Sequence, residues 1–126
     1  MKKMFLLFSH TLTSEQKEDA QSSLGVEEFV MLPSDLQELW SNVPATLGDL
    51  SNYLEPLKNH FQNNLQKHDV VLVQGDFGAT YVMVNELKSL GAKAVHATTT
   101  RNVVEEEIDG TIVKTSVFEH VRFRSY

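Results

Sequence analysis

Short apolar runs separated by amphipathic segments divide the chain into strands and helices. Residues 2–8, 28–32 and 69–74 each have the length and apolar content of a strand. The run Val70–Val73 is continuously apolar, as in a parallel strand that is covered on both faces. Lys93–Ala97 is expected to form a further strand. The pattern therefore predicts four strands, joined by segments with helical periodicity.

The predicted helices begin at polar caps and end at glycine or proline. They cover residues 14–23, 34–40, 47–66 and 79–90. Thr13 or Ser14 is expected to cap the first helix, and Ser34 the second. Pro56 lies inside the third segment and predicts a kink or a break there. Gly91 is expected to end the fourth helix.

The C-terminal part has a different pattern. Two β-rich stretches, Val103–Ile108 and Thr111–Phe123, flank Asp109-Gly110, a pair typical of a tight hairpin turn. The complete order, β-α-β-α-α-β-α-β followed by a hairpin, predicts an α/β fold with a Rossmann-like, mostly parallel sheet flanked by helices. With no repeat and no linker, residues 1–126 are expected to form a single domain.

Composition narrows the classes of function. The 126 residues include no cysteine, which excludes disulfides and cysteine-based zinc sites. The opening MKKMFLLFSH has lysines, but its apolar run is shorter than the roughly seven residues of a secretory signal. No stretch approaches the roughly 20 apolar residues of a membrane span. We therefore expect a cytoplasmic protein without a membrane partner.

The charge distribution indicates a small anionic ligand rather than a long nucleic acid. A net charge of −6 opposes indiscriminate binding to polyanions. All three arginines, Arg101, Arg122 and Arg124, lie after residue 90. Arginine binds phosphate through two parallel hydrogen bonds, so a local pocket in this part of the chain could hold a phosphate. The alternative is that these arginines are solvated surface residues.

Polar residues are concentrated where three predicted parallel strands end: Ser9-His10-Thr11, Gln74–Thr80 and Thr98–Arg101. Such ends meet at one edge of a sheet, where open α/β sheets place their ligands. Gly75 and Gly78 permit close backbone approach, and the helix that follows offers free N–H groups to an anion. The residues expected to contact a ligand are Ser9, Thr11, Gln74, Gly75, Phe77, Gly78, Thr80, Tyr81, Thr98, Thr99 and Thr100.

Familiar phosphate and metal motifs are absent from the sequence. There is no G-x-x-x-x-G-K-[ST] loop and no G-x-G-x-x-G turn, and the D-F-G string stands without the other kinase motifs. The five histidines show no metal-binding spacing. We therefore predict neither a cofactor nor a metal. Recruitment of Asp76, Glu105 and His10 as metal ligands is an alternative that nothing in their spacing requires.

Several unusual strings occur in one order along nearly the whole chain: LLFSHTLT, VEEFVMLPSDLQELWSNVP, VLVQGDFGATY, ATTTR and VKTSVFEHVRFR. Through them the chain resembles the small CRISPR-associated proteins of the Csx group that accompany type III systems. That group includes ring nucleases, which bind cyclic oligoadenylate and linearise it to switch off the response. The resemblance implies a CARF-like version of the Rossmann fold. It also implies a homodimer with a symmetric ligand across the pair, and cyclic tetra-adenylate as the expected ring.

A ring nuclease of this kind needs no metal, because a ribose 2′-OH can attack the adjacent phosphorus in line. The protein holds that geometry and stabilises charge on the phosphate. The expected catalytic residues are Arg101 for phosphate stabilisation, His10 as acid or base, and Asp76. Arg101 could instead pair with Glu105 or Glu106, and His10 could serve packing. Asp76 could accept from a ribose hydroxyl or an adenine amine, or cap the next helix.

Other roles stay open in the sequence. Phe77 or Tyr81 could stack on adenine or belong to the core. His120 and Arg122 are reserve site candidates in the C-terminal hairpin. Two further functions compete with the nuclease: a binding protein that senses or sequesters cyclic oligoadenylate, and an interaction protein whose polar strand ends only complete the sheet edge.

Overall fold

The computed structural model describes all 126 residues, as a five-stranded sheet with four helices. The strands are β1 Lys3–Leu7, β2 Glu28–Met31, β3 Val70–Val73, β4 Lys93–Ile108 and β5 Thr111–Ser125. The helices are α1 Ser14–Leu24, α2 Ser34–Ser41, α3 Glu55–Asn64 and α4 Phe77–Ser89. No helix is long and apolar enough to cross a membrane.

The sheet has the strand order β2-β1-β3-β4-β5. The first four strands are parallel, and β5 runs antiparallel to β4. The prediction of an α/β fold with a mostly parallel sheet and a C-terminal hairpin is confirmed at this level. The chain moves from β1 outward to β2 on one side, and from β3 outward to β4 on the other. The strand order therefore reverses between β1 and β3.

Two apolar layers enclose the parallel part of the sheet, because successive side chains of a strand alternate between its faces. Phe5 and Val71 pack with α2, α3 and α4 on one face. Met4 and Val70 pack with Ala20 of α1 on the other. All four side chains of β3 are fully buried, as the continuous Val/Leu run predicts. This rigid centre fixes where the ends of β1 and β3 meet.

Helix boundaries agree with the sequence where a cap is local. Thr13 forms a complete capping box with Gln16 at the start of α1, and Gly25 ends α1 in the left-handed region at φ 68°. The second helix also has the predicted position, but Ser34 is its first residue rather than its cap. Pro33 holds the cap position, without a side-chain hydrogen bond.

The long helix predicted over residues 47–66 is wrong in its first half. α3 begins only at Glu55, and Pro56 lies in its first turn, where a missing N–H costs no intrahelical bond. Residues before it form turns, one of them held by a 2.7 Å bond from the Ser51 N–H to the Asp49 carboxylate. Pro56 therefore lies at the start of α3. Of the two predicted effects, it produces a break in the predicted helix and not a kink within it.

The fourth strand is much longer than the predicted Lys93–Ala97. β4 runs without interruption to Ile108, and β3 pairs only with its first residues, Lys93–Val95. The polar segment Thr98–Arg101 is consequently not a strand end but the middle of β4, paired throughout with β5. β-Branched threonines suit a strand as well as a turn, so local composition does not separate the two.

Beyond the sheet, β4 and β5 continue as a two-stranded ribbon. We call residues 98–121 the arm. The Asp109-Gly110 turn closes it, with both residues at positive φ (49° and 80°), as predicted for the hairpin. Since β4 is parallel to β3, the arm projects from the edge at which β1 and β3 end. At about 3.3 Å per residue, it extends roughly 30–35 Å from the sheet.

Candidate functional site at the sheet edge

A cleft opens at the carboxyl ends of β1 and β3, where the strand order reverses. Its volume is about 430 Å³, and α2 forms one wall. The lining residues are Phe8, Ser9, His10, Trp40, Ser41, Val43, Gln74, Gly75 and Asp76. Two of the three predicted polar segments therefore meet here. In open parallel sheets the ligand lies in this crevice, outside the strand ends.

Trp40 is the structural centre of the cleft. Its side chain is only 2% exposed, and its indole N–H donates to the Gln74 carbonyl at 3.1 Å. A Cβ placed on Gly75 would lie 2.8 Å from the indole ring. Glycine is therefore required at position 75 by the close approach of Trp40, and the two residues together set the shape of the pocket.

We expect Gly75→Ala to lower the free energy of unfolding by about 1–3 kcal/mol, because the new methyl group must displace a buried indole. Gly78→Ala is the matched control. Its Cβ would meet the end of the Leu50 side chain at 3.4 Å and the Asp76 carboxylate at 3.5 Å, without a close contact to a ring. Urea denaturation followed by circular dichroism measures both. Equal losses in the two variants would contradict the proposed contact.

Hydrogen bonds hold the β1 end of the cleft against α2. The Ser9 and Ser41 hydroxyls lie 2.9 Å apart. The Gln37 amide donates to both the Phe8 carbonyl and the Ser41 hydroxyl, at 3.1 Å each. His10 follows at the mouth, exposed, with its ring against Phe8 at 5.4 Å between centroids. The imidazole is thus positioned at the cleft by its neighbour, and it is open to a ligand.

Gln74, predicted to contact the ligand, and Asp76, predicted to be catalytic, both have structural partners at the β3 end. The Gln74 side-chain oxygen accepts from the Ala97 N–H at 3.0 Å, which ties β3 to β4 just beyond their backbone pairing. Asp76 caps α4 by accepting from the Ala79 N–H at 3.0 Å. This is the capping alternative for Asp76, and it leaves the carboxylate on the cleft wall. α4 consequently starts at Phe77, two residues earlier than predicted.

A second recess of about 370 Å³ adjoins the cleft, and the two share Gln74 and Gly75. Tyr126 closes it. Its hydroxyl donates to the Val73 carbonyl at 2.6 Å, and its ring lies 4.8 Å from that of His96. Burial raises the pKa of the Tyr126 phenol, so this hydroxyl stays protonated as a donor. Thr80 also lines the recess, and its hydroxyl is buried without a hydrogen-bond partner.

Two aromatic side chains stand free at the start of α4. Phe77 is 95% exposed and Tyr81 is 72% exposed. The alternative that they belong to the core is therefore wrong. One helical turn apart, they lie on the same side of α4, and Phe77 also borders the recess. They form an exposed aromatic surface beside the cleft. Gly78, between them, is exposed, and Thr11 is exposed but outside the cleft lining.

Arg101 does not join these residues within one chain. It lies on the arm, where its guanidinium donates twice to the Ser116 hydroxyl, at 3.1 and 2.9 Å. Strand alternation places Arg101 on the same face as Thr99 and His120, which is the α1 side of the sheet. The cleft lies on the α2 side. The expected alternative partner, Glu105, instead pairs with Lys114 at 3.6 Å.

The threonine run lies on the arm with Arg101. Thr98 exchanges hydrogen bonds with the Arg122 backbone at an irregularity of the β4–β5 register. Thr99 and Thr100 are exposed, and neither lines the cleft. Of the three predicted polar segments, the structure therefore brings together the first two and leaves the third outside.

His120 anchors the arm to α1. Its Nε2 lies 2.7 Å from the Asp19 carboxylate, and the other ring nitrogen is buried without a partner. The pKa of Asp19 is lowered, chiefly by a hydrogen bond from Ser23 and further by the contact with His120. Partial burial acts in the opposite direction but does not cancel these effects. These contacts make His120 a structural residue at the base of the arm. They do not place it at the cleft.

Charge in the cleft is unbalanced toward acid. Neither the cleft nor the recess is lined by lysine or arginine, and Asp76 is the one carboxylate. No group of three or more residues in the chain has the arrangement of a metal site. Hydrogen-bond donors at the cleft are backbone N–H groups, the two serine hydroxyls and the His10 ring. The cleft of a single chain therefore offers a phosphate hydrogen-bond donors but no lysine or arginine side chain.

Sequence reasoning missed Trp40, Ser41, His96 and Tyr126 as site residues. Trp40 is the only tryptophan of the chain. It lies at the end of α2, and none of the three predicted polar segments follows that helix. Nothing near it in the sequence indicated that it would reach the end of β3, more than 30 residues later. His96 lies in β4, packs against Tyr126 and faces the recess.

Comparison with known proteins places the chain in a family. The sequence model of the family described as "Uncharacterized protein MJ1673 family" matches residues 2–124. A protein of Methanocaldococcus jannaschii, described as "Uncharacterized protein MJ1673", is 48% identical over 126 residues. That match covers 100% of this chain and 98% of the other.

The chain belongs to the MJ1673 family. The family match spans both the cleft and the arm, so both elements fall within the region that defines the MJ1673 family. No solved structure matches the chain.

Proposed function

We propose that the protein is a ring nuclease. It binds cyclic oligoadenylate, with cyclic tetra-adenylate as the expected ring, and linearises it by metal-independent attack of a ribose 2′-OH. The activity switches off type III CRISPR signalling in the cytoplasm, and the enzyme acts as a homodimer. The observation that carries the proposal is the cleft between β1 and β3, where His10 and Gly75 meet at the reversal of strand order.

The sheet supports a Rossmann-like, CARF-like assignment through its connectivity. Four parallel strands in the order β2-β1-β3-β4 carry helices on both faces, which is the pattern of doubly wound nucleotide-binding sheets. In such sheets the nucleotide lies beyond the strand ends at the reversal point. The antiparallel β5 and the arm are additions at one edge, and they leave that position open.

The proposed chemistry uses residues that line the cleft. One nucleotide lies in the cleft beside Gly75, whose missing side chain admits the Trp40 indole that shapes the cleft wall. Ser9 and Ser41 offer hydroxyls to the ligand, and Phe77 with Tyr81 offers aromatic surface for adenine. His10 takes the proton from the 2′-OH or returns one to the departing 5′-oxygen. Attack on phosphorus leaves a 2′,3′-cyclic phosphate and a 5′-hydroxyl.

One observation favours the second candidate, a protein that binds cyclic oligoadenylate without cutting it. The cleft has no lysine or arginine to stabilise charge that develops on a phosphate, and Arg101 lies on the opposite side of the sheet. Electrostatic stabilisation is usually the largest contribution to such a reaction. A cleft without electrostatic stabilisation could bind the ring and yet cut the ring slowly or not at all.

Turnover separates the two candidates. Protein is incubated with cyclic tetra-adenylate in EDTA, at equal concentrations and at about a hundredfold excess of ligand, and the products are resolved by chromatography. A ring nuclease converts the excess to linear products that end in 2′,3′-cyclic phosphate. A binding protein returns the ring intact. Cleavage that is lost in EDTA would contradict the metal-independent mechanism, and no binding of tri-, tetra- or hexa-adenylate rings would overturn both candidates.

A further inference from the structure

The recess beside the cleft differs from the cleft in its chemistry. No lysine, arginine, aspartate or glutamate lines it, and three of its six lining residues carry rings: Phe77, His96 and Tyr126. Its volume of about 370 Å³ lies near the lower end of the roughly 300–1,000 Å³ that small-molecule sites occupy. The cleft, in contrast, carries serine hydroxyls, His10 and Asp76. The recess therefore suits a flat, uncharged ring, and the cleft suits polar groups.

Gln74 lies where the recess and the cleft meet, and three hydrogen bonds hold it in place. Its backbone N–H donates to the Leu7 carbonyl at 3.1 Å, and its own carbonyl accepts from the Trp40 indole, also at 3.1 Å. Its side-chain Oε1 accepts from the Ala97 N–H at 3.0 Å. The Nε2 group alone has no partner in the protein, and it is not buried. Gln74 thus presents one oriented, unused donor to a ligand.

The carboxamide of Gln74 matches one edge of adenine. Adenine presents an exocyclic amine next to a ring nitrogen, and glutamine binds this pair by accepting through Oε1 and donating through Nε2. The Gln74 Oε1 keeps a second lone pair for the amine, beside its bond from Ala97. Guanine presents a carbonyl oxygen in place of the amine. Gln74 cannot reverse its amide to meet that oxygen, because Nε2 would then face the Ala97 N–H.

Phe77 offers a free aromatic face at the same recess. It is the first residue of α4, and its side chain is 95% exposed. A flat ligand can lie against this ring without displacing a neighbouring side chain. Stacking of a base on an aromatic side chain is a strong contribution to nucleotide binding, and it would cover apolar surface that the fold leaves in water. Phe77 and Gln74 therefore supply the stacking and the polar recognition that a base requires.

We propose that the recess is an adenine subsite, in which Gln74 binds the amine and a ring nitrogen of one base and Phe77 stacks on that base. This extends the placement of the nucleotide in the cleft: the base enters the recess, while the ribose and phosphate stay in the cleft. The two compartments meet at Gln74 and Gly75, so one nucleotide can occupy both. The subsite rests on the proposed function for the identity of the whole ligand.

Binding of single nucleosides tests the subsite without any adenylate ring. The probes are adenosine and inosine, which differ at the base by the replacement of the amine with a carbonyl oxygen. Titration of ¹⁵N-labelled protein is followed by NMR through the Gln74 side-chain amide and the single indole N–H, that of Trp40. Adenosine should shift the Gln74 signal saturably and bind at least about tenfold more tightly than inosine. Equal affinities, or no shift of the Gln74 signal, would overturn the proposal.

Two variants separate recognition from stacking. Gln74→Met removes the polar pair, so the preference for adenosine over inosine should fall to within about threefold. Phe77→Ala should weaken both nucleosides by at least about tenfold and keep the preference. The control is Phe118→Ala, since Phe118 is also an exposed aromatic residue but lies on the arm and lines neither compartment. Its affinities should stay within about threefold of wild type. Circular dichroism verifies that each variant is folded.

The nucleoside assay and the turnover assay can fail separately. If adenosine binds the recess with the expected preference but no adenylate ring is bound or cut, the subsite stands and the proposed function is wrong. If cyclic tetra-adenylate is cut, but Gln74→Met and Phe77→Ala both cut it with the KM of the wild type, the proposed function stands. In that case the recess does not hold a base, and the subsite is overturned.

Discussion

Replacement of Trp40 by alanine is expected to lower the free energy of unfolding by about 3–5 kcal/mol. The indole is 2% exposed and belongs to the larger apolar cluster, between α2 and the end of β3. Its removal leaves a cavity beneath Gly75 and also frees the Gln74 carbonyl from its 3.1 Å bond. Since domains of this size are stable by about 5–15 kcal/mol in total, the variant should be close to unfolding at physiological temperature.

Urea denaturation followed by circular dichroism measures this loss, because the variant has no tryptophan fluorescence. Trp40→Phe separates the loss of apolar volume from the loss of the hydrogen bond. It keeps most of the volume and removes the N–H, so the free energy of unfolding should fall by about 1–2 kcal/mol. Leu47→Ala is the control for a large-to-small change outside the core, since Leu47 is 44% exposed in the turn segment before α3. A Trp40→Ala loss as small as that of Leu47→Ala would show that the indole does not support the cleft.

The elements that could be predicted are those whose signal is local. A capping box at Thr13, a left-handed Gly25 and an Asp109-Gly110 turn each act within a few residues. The continuous Val70–Val73 run fixes β3 because its pattern records burial on both faces. Parallel neighbours then require the ends of β1 and β3 to share an edge. The meeting of His10 with Gly75 follows from these local signals and the parallel topology.

The parts that could not be predicted depend on contacts distant in sequence. Trp40 reaches Gln74, and the Tyr126 hydroxyl reaches Val73, without any local pattern that marks either residue. The threonine run lies inside a strand because β5 pairs with β4 far beyond the end of β3. The composition of Thr98–Arg101 is equally compatible with the end of a strand and with its interior. Only the length of the partner strand distinguishes them, and that length moves Arg101 away from the cleft.

The largest kinetic effect is expected at His10. If the protein is a ring nuclease, His10→Ala should lower kcat for ring opening by about 10²–10⁴-fold, the usual contribution of a positioned acid or base. This corresponds to roughly 2.7–5.5 kcal/mol of transition-state stabilisation. His10 is exposed at the cleft mouth and packs on Phe8, so its loss removes a reactive group without opening the core. Single-turnover cleavage of cyclic tetra-adenylate measures the effect.

Arg101→Ala is the matched comparison, and it tests the geometry directly. Its guanidinium is bonded to Ser116 on the α1 side of the arm, so we expect a change in rate of less than about threefold, as for other exposed charges. Affinity for the ring should stay within a similar range in both variants, which Trp40 fluorescence at the cleft wall can follow. A rate that falls with Arg101→Ala and not with His10→Ala would move the chemistry from the cleft to the arm. In that case the ligand would have to lie between two chains, because no single chain brings Arg101 to the junction of β1 and β3.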